Sequence, residues 1–327
     1  MAYSAEVMKR ARDRLAQAKT DRESENRQHL REAYEKLPRL REIDRQLRLS
    51  MAVAAQTMFS QGEDMAVAFE RVKQENLALQ KERETLIATN FSQGYLDETP
   101  ICSRCGGSGY IGANLCSCLA ELCRQEQKQE LAFLGGGKSS FAAFSLEYYP
   151  QKTDARYGAS PREIMERNFN TCYRYATTFA ANAGNLLFVG GTGLGKTFLS
   201  ACIADAVADR GYSVVYESSS KLFSTLEQAK FTGDEEARQA AQKYSQCDLL
   251  ILDDLGTELP GQFVTAALYN LLNERLLAGK AMVISTNLNI DEAAKRYSPQ
   301  IASRLQGSFT LLPFVGEDIR VKINRRG

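Results

Sequence analysis

Gly190-Gly191-Thr192-Gly193-Leu194-Gly195-Lys196-Thr197 is the stretch that decides the fold of this chain. The apolar residues 186–189 before it predict a short buried strand, and residues 198–210 have the periodicity of a helix. Between a strand and a helix, the pattern G-x-x-x-x-G-K-T is typical of a phosphate-binding loop. Its glycines let backbone N–H groups turn inward, and the helix N-terminus adds positive potential. We predict a nucleoside triphosphate here, with Lys196 reaching the β- and γ-phosphates and the Thr197 hydroxyl holding Mg²⁺.

A second apolar strand, residues 248–252, ends in the paired acids Asp253 and Asp254. Downstream of a phosphate-binding loop, this arrangement predicts a magnesium and hydrolysis site. Asp253 would bind Mg²⁺ directly or through water, and Asp254 would orient and deprotonate the attacking water. Many related ATPases have glutamate at the second position, so the shorter aspartate leaves the hydrolysis rate open.

Three further polar side chains follow later strands or lie on short helices. Asn287 ends the apolar strand 283–286 and is a candidate sensor between the γ-phosphate and the water, or else an ordinary capping residue. Guanidinium groups stabilise charge on transferring phosphoryl oxygens. We therefore predict Arg304 as a finger for a neighbouring subunit's nucleotide and Arg320 as a γ-phosphate sensor, although the pattern alone is also that of surface arginines.

Strands and helices alternate from residue 139 to residue 327, which is typical of a parallel sheet wrapped by helices. Before this ATPase domain we predict a helical partner-binding region at 1–98, a cysteine cluster at 99–130 and a flexible linker at 131–138. Pro38 interrupts the apolar stripe of the first region, so a helix should restart there. The helices around the loop signal at 60–64 suggest an antiparallel hairpin, which is either a docking module or a solvated arm.

The cysteine cluster has the spacing of a tetrahedral zinc site, with two short pairs that each supply two thiolates from a tight turn. The predicted ligands are Cys102, Cys105, Cys116 and Cys118. Cys123 is the spare thiol or a replacement for one of them. The alternative is a set of unliganded buried thiols.

The composition and charge of the chain limit how it can interact with nucleic acids and membranes. The chain is 44% hydrophobic and 25% charged with a formal charge of +1, so any nucleic-acid contact must come from local patches or from several subunits combined. No run is long and apolar enough for a membrane helix, and residues 1–21 lack the apolar core of a signal peptide. We expect a cytoplasmic protein.

The motifs GGTGLGKT, LLILDDLG, ISTN, IASRL and GEDIR, in this order, resemble those of the AAA+ ATPases of the bacterial DnaC/DnaI helicase-loader group and its relation IstB. The resemblance covers residues 139–327, including the segment 141–149, and extends more loosely to the N-terminal regions. It implies an AAA+ P-loop NTPase fold with a parallel five-stranded sheet and a reduced lid, preceded by an α-helical hairpin and a small zinc knuckle. Arg304 matches the family's arginine finger and Arg320 its second sensor.

The resemblance also implies partners. Such loaders bind the hexameric replicative helicase through their N-terminal region, assemble as an ATP-bound spiral or ring, and hold the helicase while single-stranded DNA enters. Phe231 and Phe263 are placed near the family's aromatic DNA contacts, although both are equally typical of core residues. Lys221 and Lys230 would add phosphate contacts.

Three other functions fit parts of the pattern. An IstB-like transposition helper shares the ATPase core but targets a transposase, and the cysteine cluster favours the loader over it. A nucleotide-switched adaptor with little hydrolysis is compatible with Asp254. A small-molecule phosphotransferase usually has an acceptor pocket and an arginine-rich lid, and neither is evident in the sequence.

Overall fold

The computed structural model describes residues 3–61, 65–134 and 140–324. The chain divides into two compact units, one formed by Met1–Asp13 with Ser117–Gly327 and the other by Arg14–Cys116. The two units meet after residues 13 and 116, whereas the sequence predicts domain boundaries after residues 98, 130 and 138. Those predicted boundaries stay predictions. Part of the predicted linker, residues 131–134, is helical, and residues 135–138 lie outside the described residues.

Helix α1 (Ala5–Lys36) begins in the first unit and continues into the second, which also contains α2 (Pro38–Gln61) and α3 (Met65–Asn90). We call this second unit the helical unit. Pro38 is the first residue of α2, where a missing N–H costs nothing, so the predicted restart is observed. Helices α2 and α3 form the predicted antiparallel hairpin. Arg39 near the start of α2 pairs with Glu82 in the second half of α3, and Asn76 earlier in α3 donates to Ser50 later in α2 at 3.0 Å. Residues 62–64 of the predicted loop are not described.

A two-stranded antiparallel ribbon follows the hairpin. Strand β1 (Tyr110–Ile111) pairs with β2 (Asn114–Leu115), and the turn between them contains Gly112 at a φ of 59°. This left-handed conformation is one that glycine adopts without strain. The ribbon separates the two cysteine pairs.

The first unit, which we call the sheet unit, is built on a five-stranded parallel sheet, as predicted. Its strands are β3 (Asn185–Val189), β4 (Val214–Ser218), β5 (Leu249–Leu255), β6 (Ala281–Thr286) and β7 (Phe309–Pro313). Their spatial order is β4-β5-β6-β3-β7, so the strand before the glycine loop lies inside the sheet. The strands are parallel, so the ends of β3, β5 and β6 lie at one edge.

Helices cover both faces of this sheet. They are α4 (Ser117–Leu134), α5 (Pro161–Thr177), α6 (Lys196–Asp209), α7 (Ser219–Phe231), α8 (Glu235–Gln246), α9 (Gln262–Leu277), α10 (Ile290–Arg296), α11 (Pro299–Ser308) and α12 (Ile319–Asn324). Phe188 and Ile251 belong to one buried cluster, and their neighbours Leu187 and Leu250 belong to the other. Because side chains alternate along a strand, each strand contributes to both layers.

Within the described ranges, the chain after β7 forms one short helix, α12. Among the described residues, no helix is both long and apolar enough to span a bilayer.

The sheet and α9 are joined by a fully buried arginine. The Arg275 guanidinium donates hydrogen bonds to the carbonyl oxygens of Tyr244 (2.8 Å), Cys247 (3.1 Å) and Ala281 (2.7 Å). These carbonyls lie at the end of α8, before β5 and at the start of β6. The planar fork of donors therefore ties together three segments of the chain.

We expect Arg275→Lys to lower the free energy of unfolding by about 3 kcal/mol, because one ammonium cannot reach all these carbonyls. Chemical denaturation measures this loss. The matched control is Arg174→Lys on α5, which is exposed and should change the value by less than about 0.5 kcal/mol. Equal effects at the two positions would show that the buried fork does not stabilise the sheet.

Candidate functional site

The glycine loop is packed closely against neighbouring segments at several of its glycines. Gly193 and Gly195 have φ values of 70° and 92°, and Gly195 is the N-cap of α6. A Cβ at Gly190 would lie 2.2 Å from the Phe314 carbonyl oxygen, and one at Gly193 would lie 1.9 Å from Oδ1 of Asp318. Backbone conformation and close approach therefore both require glycine in this loop.

The loop carbonyls are held by neighbouring segments. The Tyr149 hydroxyl donates to the Leu194 carbonyl at 2.9 Å, and the Ile319 N–H donates to the Gly193 carbonyl at 2.9 Å. These contacts fix the loop from the segment before α5 and from the start of α12. Tyr149 has a positioning role that the sequence did not identify.

Lys196 lies beneath the loop with little exposure. Its Nζ donates to the carbonyl oxygens of Gly190 (2.7 Å) and Gly191 (2.6 Å). Burial lowers the pKa of Lys196, and the charges of Asp254 and Asp253 oppose that shift. A phosphate oxygen is a stronger partner for the ammonium than these carbonyls, so the lysine is positioned to exchange them for an anion.

A cavity of about 480 Å³ opens above the loop. Lys196, Thr197, Asp254 and Arg320 line its polar part. Its other wall contains the aromatic side chains Phe144, Tyr148, Tyr149 and Phe198. Cationic and hydroxyl groups beside aromatic rings suit a molecule that combines phosphates with a flat base. In the sequence, the aromatic residues of segment 141–149 are the feature that could have predicted this wall.

The buried carboxylate of Asp253 lies at the end of β5. Its Oδ1 accepts a hydrogen bond from the Ser285 hydroxyl, and its Oδ2 accepts one from the Tyr216 hydroxyl at 2.7 Å. Burial, followed by the charge of Asp253, raises the pKa of Tyr216, so the phenol stays a donor. Neither hydroxyl was assigned from the sequence.

Asp254 has an unusual backbone, with a φ of 54° at an irregularity in the β5–β6 pairing. Its N–H donates to Ser285 Oγ at 2.9 Å, and its carbonyl accepts from Ser219 Oγ at 2.9 Å. These bonds hold a conformation that an L-residue rarely adopts. Burial and then Asp253 raise the pKa of the Asp254 carboxyl, whereas Lys196 and Arg320 lower it. A carboxylate with a raised pKa is a better proton acceptor.

The remaining predicted site residues lie at three separate locations. Arg320 lines the cavity with Asp254, whereas Asn287 and Arg304 are not among its lining residues. Asn287 is exposed after β6, with its Oδ1 beside Gly256. Arg304 donates to Tyr269 Oη (2.9 Å) and Asn273 Oδ1 (3.1 Å). Sequence order alone did not reveal this separation.

The predicted zinc ligands lie close together. One sulfur from each of Cys102, Cys105, Cys116 and Cys118 lies within 4.8 Å of the other three, and the Cys102 and Cys116 sulfurs are 3.8 Å apart. Two ligands of a tetrahedral zinc with Zn–S bonds of about 2.3 Å would be about 3.8 Å apart. Cys123 is outside this group: it is buried, which raises its thiol pKa to about 11, and its sulfur lies 3.4 Å from Met8 Sδ.

The predicted DNA-contact residues form an aromatic patch, defined here as Phe231, Phe263 and Lys230. The two ring centroids are 5.7 Å apart, and Lys230 Nζ lies 5.4 Å from each of them. Phe231 is 67% exposed, so it is not a core residue, and Phe263 is half-buried. Lys221 pairs instead with Glu217 at 3.3 Å.

Comparison with known proteins gives a family match within the sheet unit. The profile of the family described as IstB-like ATP binding protein matches residues 160–305. The replicative helicase loader DnaC of Escherichia coli K12 is 23% identical over 133 residues, or 41% of this chain and 54% of that protein. A putative ATP-binding protein of insertion sequence IS232 from Bacillus thuringiensis subsp. berliner is 28% identical over 149 residues, or 44% and 58%.

The chain thus spans little more than half the length of these curated relatives. Among solved structures, a crystal structure of the DnaC helicase loader matches 54% of this chain and 98% of its own, at 20% identity and a TM-score of 0.45. The residues matched by the family profile include the glycine loop and the paired aspartates. Residues 160–305 of this chain are an ATP-binding domain of the IstB/DnaC family.

Proposed function

We propose that this protein is a cytoplasmic ATPase that loads a hexameric replicative helicase onto single-stranded DNA. The observation that carries the proposal is the cavity in which Lys196, Asp254 and Arg320 converge beside an aromatic wall. Similarity to the loader DnaC supports the choice of partner. The proposal joins an ATP-controlled core to a helical unit of the same chain.

In the proposed ATP hydrolysis, each charged group has a separate task. Lys196 and the loop N–H groups bind the phosphates, while Thr197 and Asp253 hold Mg²⁺, which neutralises phosphate charge when bound. Asp254 accepts a proton from the attacking water, and Arg320 stabilises the γ-phosphate oxygens. Asn287, at the end of β6, is proposed as a sensor of the water position.

Arg304 is proposed to act on a neighbouring subunit's nucleotide. It is held by Tyr269 and Asn273 and does not line the cavity of its own chain. A guanidinium that lies outside the nucleotide cavity of its own chain fits the role of an arginine finger, which acts on the nucleotide of a neighbouring subunit. ATP would in this way favour a spiral or ring of several copies.

The alternative functions differ from the loader in their binding partner or in their rate of ATP hydrolysis. An IstB-like transposition helper is supported by the match to insertion-sequence proteins. The helical unit and the cysteine cluster favour the loader, because they offer a separate partner-binding region. A nucleotide-switched adaptor would keep the same contacts with ATP but hydrolyse it little.

The partner test mixes the full chain with a replicative helicase or with an insertion-sequence transposase, each with and without ATP and Mg²⁺. We expect a complex with the helicase whose mass, measured by light scattering after gel filtration, depends on ATP. Lys196→Ala should remove the ATP dependence, because the phosphates lose their buried cation.

Lys295→Ala, a change at an exposed lysine of α10, is the matched control and should leave the complex intact. Binding to the transposase alone would favour the transposition helper. If neither partner binds while ATP does, the loader assignment is wrong and the ATP site stands.

We further propose zinc at the cysteine cluster, since the sulfur positions fit a tetrahedral site of four thiolates. The purified chain should contain about one zinc per molecule by elemental analysis, because structural sites of this kind bind tightly. Cys102→Ser should lose the metal, whereas Cys123→Ser should keep it because that thiol is outside the group. Metal loss in the Cys123 variant, or none in the Cys102 variant, would contradict this ligand set.

We also propose that the aromatic patch binds single-stranded DNA, with Lys221 adding a weaker phosphate contact. Stacking of one base contributes about 1–3 kcal/mol. Phe231→Ala should therefore weaken binding of a labelled oligothymidine about tenfold, as measured by fluorescence anisotropy at fixed salt. The control is Leu277→Ala, at an apolar side chain that is 81% exposed on α9. Equal affinity of the Phe231 variant and the wild type would exclude stacking at the patch.

A further inference from the structure

The Asp253 carboxylate is oriented by hydroxyl groups on two neighbouring strands. Ser285 on β6 donates to Oδ1, and its oxygen accepts the N–H of Asp254 at 2.9 Å. A serine hydroxyl has one proton, so these two bonds fix its direction. The hydroxyl on the other side comes from Tyr216 on β4.

Tyr216 contacts the carboxylate that is proposed to hold Mg²⁺. Its hydroxyl donates to Asp253 Oδ2 at 2.7 Å, while the Ser285 hydroxyl donates to the other oxygen. Tyr216 lies on β4 and Ser285 on β6, the two strands that pair with β5 on either side of Asp253. Hydroxyl groups from both neighbouring strands therefore set the orientation of this carboxylate.

We propose that Tyr216 is a positioning residue of the magnesium site. The inference rests on the proposed function, because it concerns the metal that accompanies the nucleotide. Mg²⁺ requires nearly octahedral geometry, so a carboxylate that rotates freely binds it less well. Hydrogen bonds to the second oxygen of a ligating carboxylate keep that geometry, and their loss typically lowers metal affinity about 10- to 100-fold.

Two other roles for this hydroxyl make different predictions. If the phenol only satisfies a buried carboxylate, its removal changes stability and leaves the metal affinity unchanged. If it competes with the metal for Oδ2, its removal strengthens metal binding. Metal affinity separates all three roles without any measurement of hydrolysis.

The experiment uses Tyr216→Phe in the full chain, which keeps the ring and removes the hydroxyl. Mn²⁺ replaces Mg²⁺ as the probe, and free Mn²⁺ is followed by electron paramagnetic resonance in the presence of a non-hydrolysable ATP analogue. We expect Mn²⁺ to bind about tenfold more weakly than in the wild type. Binding of the nucleotide in EDTA should not change.

The matched control is Tyr244→Phe, which also removes a tyrosine hydroxyl that is hydrogen-bonded to other side chains. That hydroxyl contacts Glu217 and Thr225 and does not contact Asp253. Its Mn²⁺ affinity should equal that of the wild type. Ser285→Ala is a second variant and should weaken Mn²⁺ binding in the same direction.

Unchanged or tighter Mn²⁺ binding by Tyr216→Phe, with an intact thermal transition, overturns the inference. If the wild type itself binds no ATP analogue, the proposed function fails, and the role of Tyr216 fails with it. The two failures are distinguishable because the second is visible before any variant is made.

Discussion

Close packing of the glycine loop against the chain after β7 is the constraint on which the rest of the site depends. The Phe314 carbonyl occupies the space where Gly190 would carry a side chain, and the Phe314 N–H donates to the Val189 carbonyl at 2.7 Å. This contact continues the β3–β7 pairing beyond the sheet. It brings Asp318 and Arg320 to the loop, although they are more than a hundred residues away in sequence. The cavity exists because these two segments meet.

Charges in this edge of the sheet are only partly satisfied by the protein itself. Burial lowers the pKa of Lys196 and raises that of Asp254, so the surroundings disfavour the charged form of both groups. Lys196 has carbonyl partners rather than a carboxylate within hydrogen-bonding distance. A buried cation is stabilised more by an anion than by carbonyl dipoles. A nucleotide phosphate with its metal supplies both missing charges, which explains why these side chains are kept in so costly an environment.

The sequence predicted the parts of the site that follow from local pattern. The glycine loop, the apolar strand before Asp253 and the order of strands and helices are all confirmed, because periodicity and glycine content are local properties. Tyr216 and Tyr149 were not identified, since their roles depend on which strand lies beside which loop. The positive φ of Asp254 was also missed, because nothing in an apolar strand followed by two acids indicates that the second acid leaves the regular β conformation. Arg275 was missed for a related reason, since a buried arginine and an exposed one have the same sequence signature.

A buried glutamate connects the loop after β5 to the segment between α10 and α11, the helix that carries Arg304. The Glu258 side chain accepts hydrogen bonds from the Gly256 N–H at 3.0 Å and from the Tyr297 hydroxyl. Burial alone would raise the pKa of Glu258, but these hydrogen bonds lower it, so the group is an ionised carboxylate. Such a carboxylate cannot leave its donors without a large penalty. Tyr297 is the C-cap of α10, between that helix and α11, and Glu258 lies in the loop that follows β5. In the same loop, the Thr257 hydroxyl donates a hydrogen bond to the Asp254 carbonyl at 2.9 Å. The loop after β5 therefore contacts both the Asp254 backbone and the segment that leads into the helix of Arg304, so the two proposed catalytic groups are joined through it.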